Sequence, residues 1–172
     1  MNKDGKYEHA KFIIERFDHY NDSVNNKGAF YIGLNTFLLG GLFAGFASLY
    51  KEIEMTYCLW SLLIGFGLCS ILSSILTVIA INPFLVSGNK DSKKRSLIFF
   101  GSVSEYEKDN YVEAFLQQDE DRKIYDTVNQ SWLLARGLTG KYEKLRWAGW
   151  LIIAQFILLI PIIYSITKSL LQ

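Results

Sequence analysis

Charge is missing from two long stretches of this chain. Residues 28–50, GAFYIGLNTFLLGGLFAGFASLY, contain no Asp, Glu, Lys, Arg or His, and neither do residues 56–82. A third run at 147–167, WAGWLIIAQFILLIPIIYSIT, is interrupted only by Gln155 and Pro161. A helix of about 20 apolar residues crosses the hydrocarbon core of a bilayer, so each run is long enough to span. None of the three alternates with period two, which favours helices over a membrane barrel. With no ionisable group in mid-span, the chain is a poor candidate for a transporter or proton pump.

Other scarcities narrow the reading further. The only cysteines, Cys58 and Cys69, lie in the second run. Eleven helical residues separate them by about 16 Å, too far for a disulfide, and they identify no redox compartment. The two histidines, His9 and His19, have no cysteine near them in sequence, so no metal site is expected. Walker, GxSxG and dinucleotide-binding signatures are missing. The expectation is a protein that is not an enzyme, with no catalytic residue, no metal and no cofactor.

The remaining sequence is polar and mostly helical in pattern. Within residues 1–27, Tyr7, Ala10, Ile14, Phe17, Tyr20 and Val24 recur at helical spacing, which predicts an amphipathic helix running into the first span as one rod. That span follows a charged segment, so it reads as a retained anchor rather than a cleaved signal. Residues 51–56 close a hairpin between spans one and two, and Asn82-Pro83 ends the second. Residues 88–146 form the second polar region. There SLIFFGSVS reads as a strand or a buried turn, and 105–117 as a helix. A further helix from about residue 121, with Ile124, Val128, Trp132, Ala135, Leu138, Tyr142 and Leu145 as its apolar face, leads into the third span. Gly137 and Gly140 mark a possible kink there.

Orientation follows from lysine and arginine. Residues 1–27 carry Lys3, Lys6, Lys11, Arg16 and Lys27, and residues 88–146 carry eleven more basic residues. The 51–56 loop has Lys51 alone and the tail has Lys168. The N-terminus and the 88–146 head are therefore expected in the cytoplasm. Acidic residues nearly cancel the basic ones, so no nucleic-acid readout is expected. The juxtamembrane cluster Lys90, Lys93, Lys94 and Arg95 could hold anionic lipid at roughly 1 kcal/mol each, but ordinary positive-inside bias accounts for it. About sixty residues plus the N-terminal helix bury a small core, which argues for a head stabilised by self-association. The expected fold is an all-α integral membrane protein, a homo-oligomer with three transmembrane helices and a small, mainly helical cytosolic head.

Small residues recur along the spans. Ser61, Gly65, Cys69, Ser73 and Thr77 follow a four-residue spacing, and Gly41 and Gly45 stand in GLFAG. Such residues let helix backbones approach closely in a bilayer, either between copies of the chain, around a pore, or between spans of one chain. Span hydroxyls could line a wet path, although bonding back to their own helix is the simpler account. Asn35 and Gln155, the strongest polar groups in the spans, are expected to bridge helices. Aromatics at 99, 100, 106, 111, 125, 132 and 142 either stack a nucleobase or fill the head's core, and core filling is the commoner use.

Two segments together carry a resemblance. FDHYNDSVNNKGAFYIGLNTFLLG, residues 17–40, places an Asn-Lys-Gly helix end at the membrane and Asn-Thr-Phe inside it. IFFG, residues 98–101, is followed downstream by Lys141-Tyr142 just before another apolar span. The pattern resembles the Pycsar transmembrane effector family of bacterial anti-phage defence. That resemblance implies a neighbouring cyclase, a cyclic nucleotide such as cyclic CMP or cyclic UMP, and impairment of the bacterial inner membrane in an abortive response. Related small effectors answer cyclic oligonucleotides or, in retrons, a reverse-transcriptase complex. The chain has no separate nucleotide-binding domain, so a scaffold governed by a protein or ribonucleoprotein partner is the alternative. For a nucleotide ligand, the expected contacts are Lys141 to phosphate, Phe99, Phe100 and Tyr142 to the base, and Gly101 for close backbone approach.

Overall fold

A computed structural model describes residues 2–83 and 95–171. Lys90, Lys93 and Lys94 of the basic cluster lie outside the described residues. Within them the secondary structure is entirely helical: α1 (Lys3–Leu49), α2 (Tyr57–Ile81), α3 (Phe100–Val103), α4 (Lys108–Leu116) and α5 (Glu120–Leu170). The helices group into two units. One comprises Met1–Ser23 with Pro83–Gly140, the other Val24–Asn82 with Lys141–Gln172.

The helix ends have local causes. Asn2 Oδ1 accepts the Gly5 N–H at 3.0 Å, capping α1. Thr56 Oγ1 accepts the Leu59 N–H at 3.2 Å and starts α2. Asn82 closes α2 by donating its N–H to Val78 O ahead of Pro83. Helix α5 is continuous from Glu120 to Leu170, through Gly137 and Gly140, and contains Pro161. Proline in mid-helix leaves the carbonyl four residues earlier without its usual donor.

In the second unit α1, α2 and α5 pack together. Ile53, Leu59, Phe66 and Ile162 form its apolar core. Two glycines permit close contact between helices: a Cβ on Gly28 would strike Ile81 Cγ2, and one on Gly149 would lie 2.9 Å from the Tyr31 hydroxyl. The three long helices are each apolar enough to cross a membrane, yet only 11–22% of their most apolar windows are buried. Much of the remainder is exposed apolar surface, including Phe37, Phe43, Ile71, Leu72, Ile157 and Ile160, which water would not tolerate. Tyr50, Tyr57, Trp60 and Tyr164 are exposed at the loop end, and Trp147 and Trp150 at the opposite end. Amphipathic rings favour membrane–water interfaces. Trp147 to Tyr164 spans about 26 Å of helix, close to the thickness of a hydrocarbon core.

In the first unit the expected strand or turn at SLIFFGSVS is a bend followed by the one-turn helix α3. The physical reason is that side chains bond the N–H groups of Leu97, Ile98 and Phe99 and the Leu97 carbonyl, which a strand ladder would otherwise use. Helix α4 starts at Lys108, three residues later than anticipated, because Ser104–Glu107 forms the turn out of α3. The ends of α1 and α5 in this unit are joined by a 2.7 Å Lys3–Asp121 ion pair and by Lys123, whose Nζ lies 3.8 Å from the Tyr7 ring centre.

Candidate functional site

Residues 95–106 form a strap held by side chains from α4 and α5. The buried Asp126 carboxylate accepts the Leu97 N–H at 2.8 Å. Tyr111 donates its hydroxyl to Leu97 O at 3.1 Å. Ser96 Oγ accepts the N–H groups of Ile98 and Phe99 and also the Gln130 side-chain N–H at 3.1 Å. Arg95 lies over the Tyr106 ring and reaches the Glu105 carboxylate at 3.6 Å.

This arrangement departs from the expected apolar face of α5 only beside the strap, since Leu138 and Leu145 of that face are buried. Val128 and Trp132, assigned to the inner apolar face, are 50% and 54% exposed, whereas Asp126, Thr127, Gln130 and Ser131 are buried. The strap's backbone groups need hydrogen-bond partners once water is excluded, and polar side chains supply them. Apolar periodicity could not show this. The available signal was Asp126 and Gln130 at i, i+4, which places two polar groups on one side of the helix.

The sequence-predicted ligand residues fall in both units. Phe99, Phe100 and Gly101 sit on the strap, with the two rings 5.0 Å apart. Phe100 is exposed, while the Phe99 ring folds over Gly101 so closely that a Cβ there would lie 2.7 Å from it. Lys141 and Tyr142 belong to the second unit. The Lys27 ammonium lies 5.7 Å from the Tyr142 ring centre, and burial holds the Lys141 ammonium below its ordinary pKa.

Deep in the second unit, Asn35 and Gln155 bridge helices. Gln155 Nε2 donates to Asn35 Oδ1 at 2.8 Å, Asn35 Nδ2 donates to Ser73 Oγ at 3.0 Å, and Ser73 donates to Ala148 O at 3.0 Å. The series starts and ends on α5 after passing through α1 and α2. Asn35 is 2% exposed and Gln155 fully buried. Gln155 Oε1 has no partner among the described residues.

The small-residue stripe divides between two environments. Ser73 and Thr77 are buried, a Cβ on Gly65 would lie 3.8 Å from Leu158, and Ser61 is exposed and donates back to Cys58 O. Gly41 and Gly45 face outward, with no atom within 4 Å of a Cβ placed there. No group of three or more His, Cys, Asp and Glu side chains placed to hold a metal ion occurs among the described residues.

Comparison with known proteins adds one finding. No curated protein and no solved structure matches this chain. The family model described as the Pycsar effector protein domain matches residues 9–167, and so takes in all three candidate spans, the strap and the helix-bridging polar series. With a match of that extent, the chain belongs to the Pycsar effector family.

Proposed function

We propose that this protein is the membrane effector of a cyclic-nucleotide defence system, triggered during phage infection to impair the bacterial inner membrane. The family match over residues 9–167 carries the reading. In it, Met1–Ser23 and Pro83–Gly140 form a cytoplasmic input and the three long helices form the output. The exposed Phe100 ring on a well-anchored strap supports a base-stacking role. Lys141 and Tyr142, in the second unit, carry a separate proposal of a phosphate contact and an aromatic contact. The outward Gly41 and Gly45 support close approach of a second copy in the bilayer, and Val128 and Trp132 are the surface that self-association of the input would cover.

The test uses the full chain in detergent and in dye-filled vesicles. A ligand that binds the folded state raises its apparent stability, by about 2.7 kcal/mol at a hundredfold excess over Kd. Cyclic CMP or cyclic UMP is expected to raise the Tm and release the dye. A well-folded sample that responds to neither, in either assay, would rule out direct sensing of these nucleotides.

A further inference from the structure

At the loop end of the second unit, the connection between α1 and α2 and the last turns of α5 enclose a cavity of about 350 Å³. Its lining includes Glu54, Thr56, Leu59, Tyr164, Lys168 and Ser169. The Glu54 N–H donates to Ser169 Oγ at 2.7 Å and ties the loop to α5. A serine that accepts keeps its own proton available to donate. Glu54 and Lys168 line the same cavity with opposite charges, yet among the described residues they do not pair with each other. Two separated charges of opposite sign around one cavity complement a zwitterion better than a simple anion or cation.

The position of the cavity narrows the ligand further. Exposed Tyr50, Tyr57 and Tyr164 surround this end of the helices, the depth at which lipid headgroups meet amphipathic rings. Leu59 and the Tyr164 ring give the cavity an apolar side. One turn before Tyr164 on α5, Ile160 is exposed and continues that side toward the hydrocarbon.

We infer that this cavity binds a phospholipid headgroup carrying a phosphate and a primary ammonium, the phosphate on Lys168 and the Ser169 hydroxyl, the ammonium on Glu54. A primary ammonium gives the carboxylate charge-assisted hydrogen bonds that a trimethylated nitrogen lacks. The inference rests on the reading of the long helices as membrane spans and is independent of the trigger.

The experiment exposes the detergent-purified full chain to an equimolar mixture of dioleoyl phosphatidylethanolamine, phosphatidylcholine and phosphatidylglycerol. Retained lipid is counted by native mass spectrometry. Phosphatidylethanolamine is expected to exceed each of the others by about tenfold, the value of one charge-assisted hydrogen bond. Glu54→Gln should erase the preference over phosphatidylglycerol, and Lys168→Gln should lower retention of all three. Circular dichroism should show unchanged helix content in both variants. Equal retention of the three lipids, or a preference that survives Glu54→Gln, overturns the assignment. Displacement by an equal concentration of soluble phosphoethanolamine would also overturn it, moving the site from a lipid to a free zwitterion.

Discussion

Two buried side chains show how single residues hold the strap. Leu97 is almost fully covered and its N–H is bonded to Asp126. Asp126→Ala strands that donor and should cost about 1–3 kcal/mol, read as a lowered denaturant midpoint, whereas Asp126→Asn keeps an acceptor and should cost less. Gly101 tolerates no side chain while the Phe99 ring covers it, so Gly101→Ala must displace that ring. Asp18 behaves differently. Burial and the neighbouring Asp22 carboxylate hold its pKa above the ordinary aspartate range. A carboxyl that binds its proton more tightly when folded contributes stability at low pH and loses it as pH rises through the folded value. Asp18→Asn is therefore expected to flatten the pH dependence of Tm just above that ordinary range, and an unchanged slope would count against the assignment.

Helices α1, α2 and α5 were legible in sequence because length and the absence of charge suffice to mark an apolar helix. Asn35 and Gln155 were legible too, since an amide amid hydrocarbon needs a partner on another helix. The strap was not. Its fold depends on Asp126, Gln130 and Tyr111 reaching it from 14 or more residues away in sequence, and no local pattern encodes that. The glycines of the small-residue stripe looked equivalent in sequence but differ in space. Gly65→Leu would press on Leu158, so its effects would report packing within the chain. A Cβ at Gly45 meets no other helix within 4 Å, so Gly45→Leu is the cleaner test of the proposed output. It should insert and fold normally while abolishing toxicity in cells, and retained toxicity would exclude that face. Asn35→Leu should weaken the three-helix contact by roughly 0.6–2 kcal/mol for each hydrogen bond lost, measured by unfolding in mild detergent.

For the whole molecule, α1 and α5 each contribute to both units without a break in the helix. In the proposed reading, a ligand on the input can shift the output only by its differential affinity for the two states. The loop end carries a further practical consequence. Cys58 is exposed beside Tyr57 at the start of α2, while Cys69 is half-buried eleven residues further along the same helix. In the proposed membrane arrangement Cys58 is a native thiol tag at one face of the bilayer. In the proposed orientation a membrane-impermeant maleimide should label spheroplasts at Cys58 before lysis, and Cys58→Ser should abolish that labelling. Labelling only after lysis would invert the topology without a single engineered cysteine.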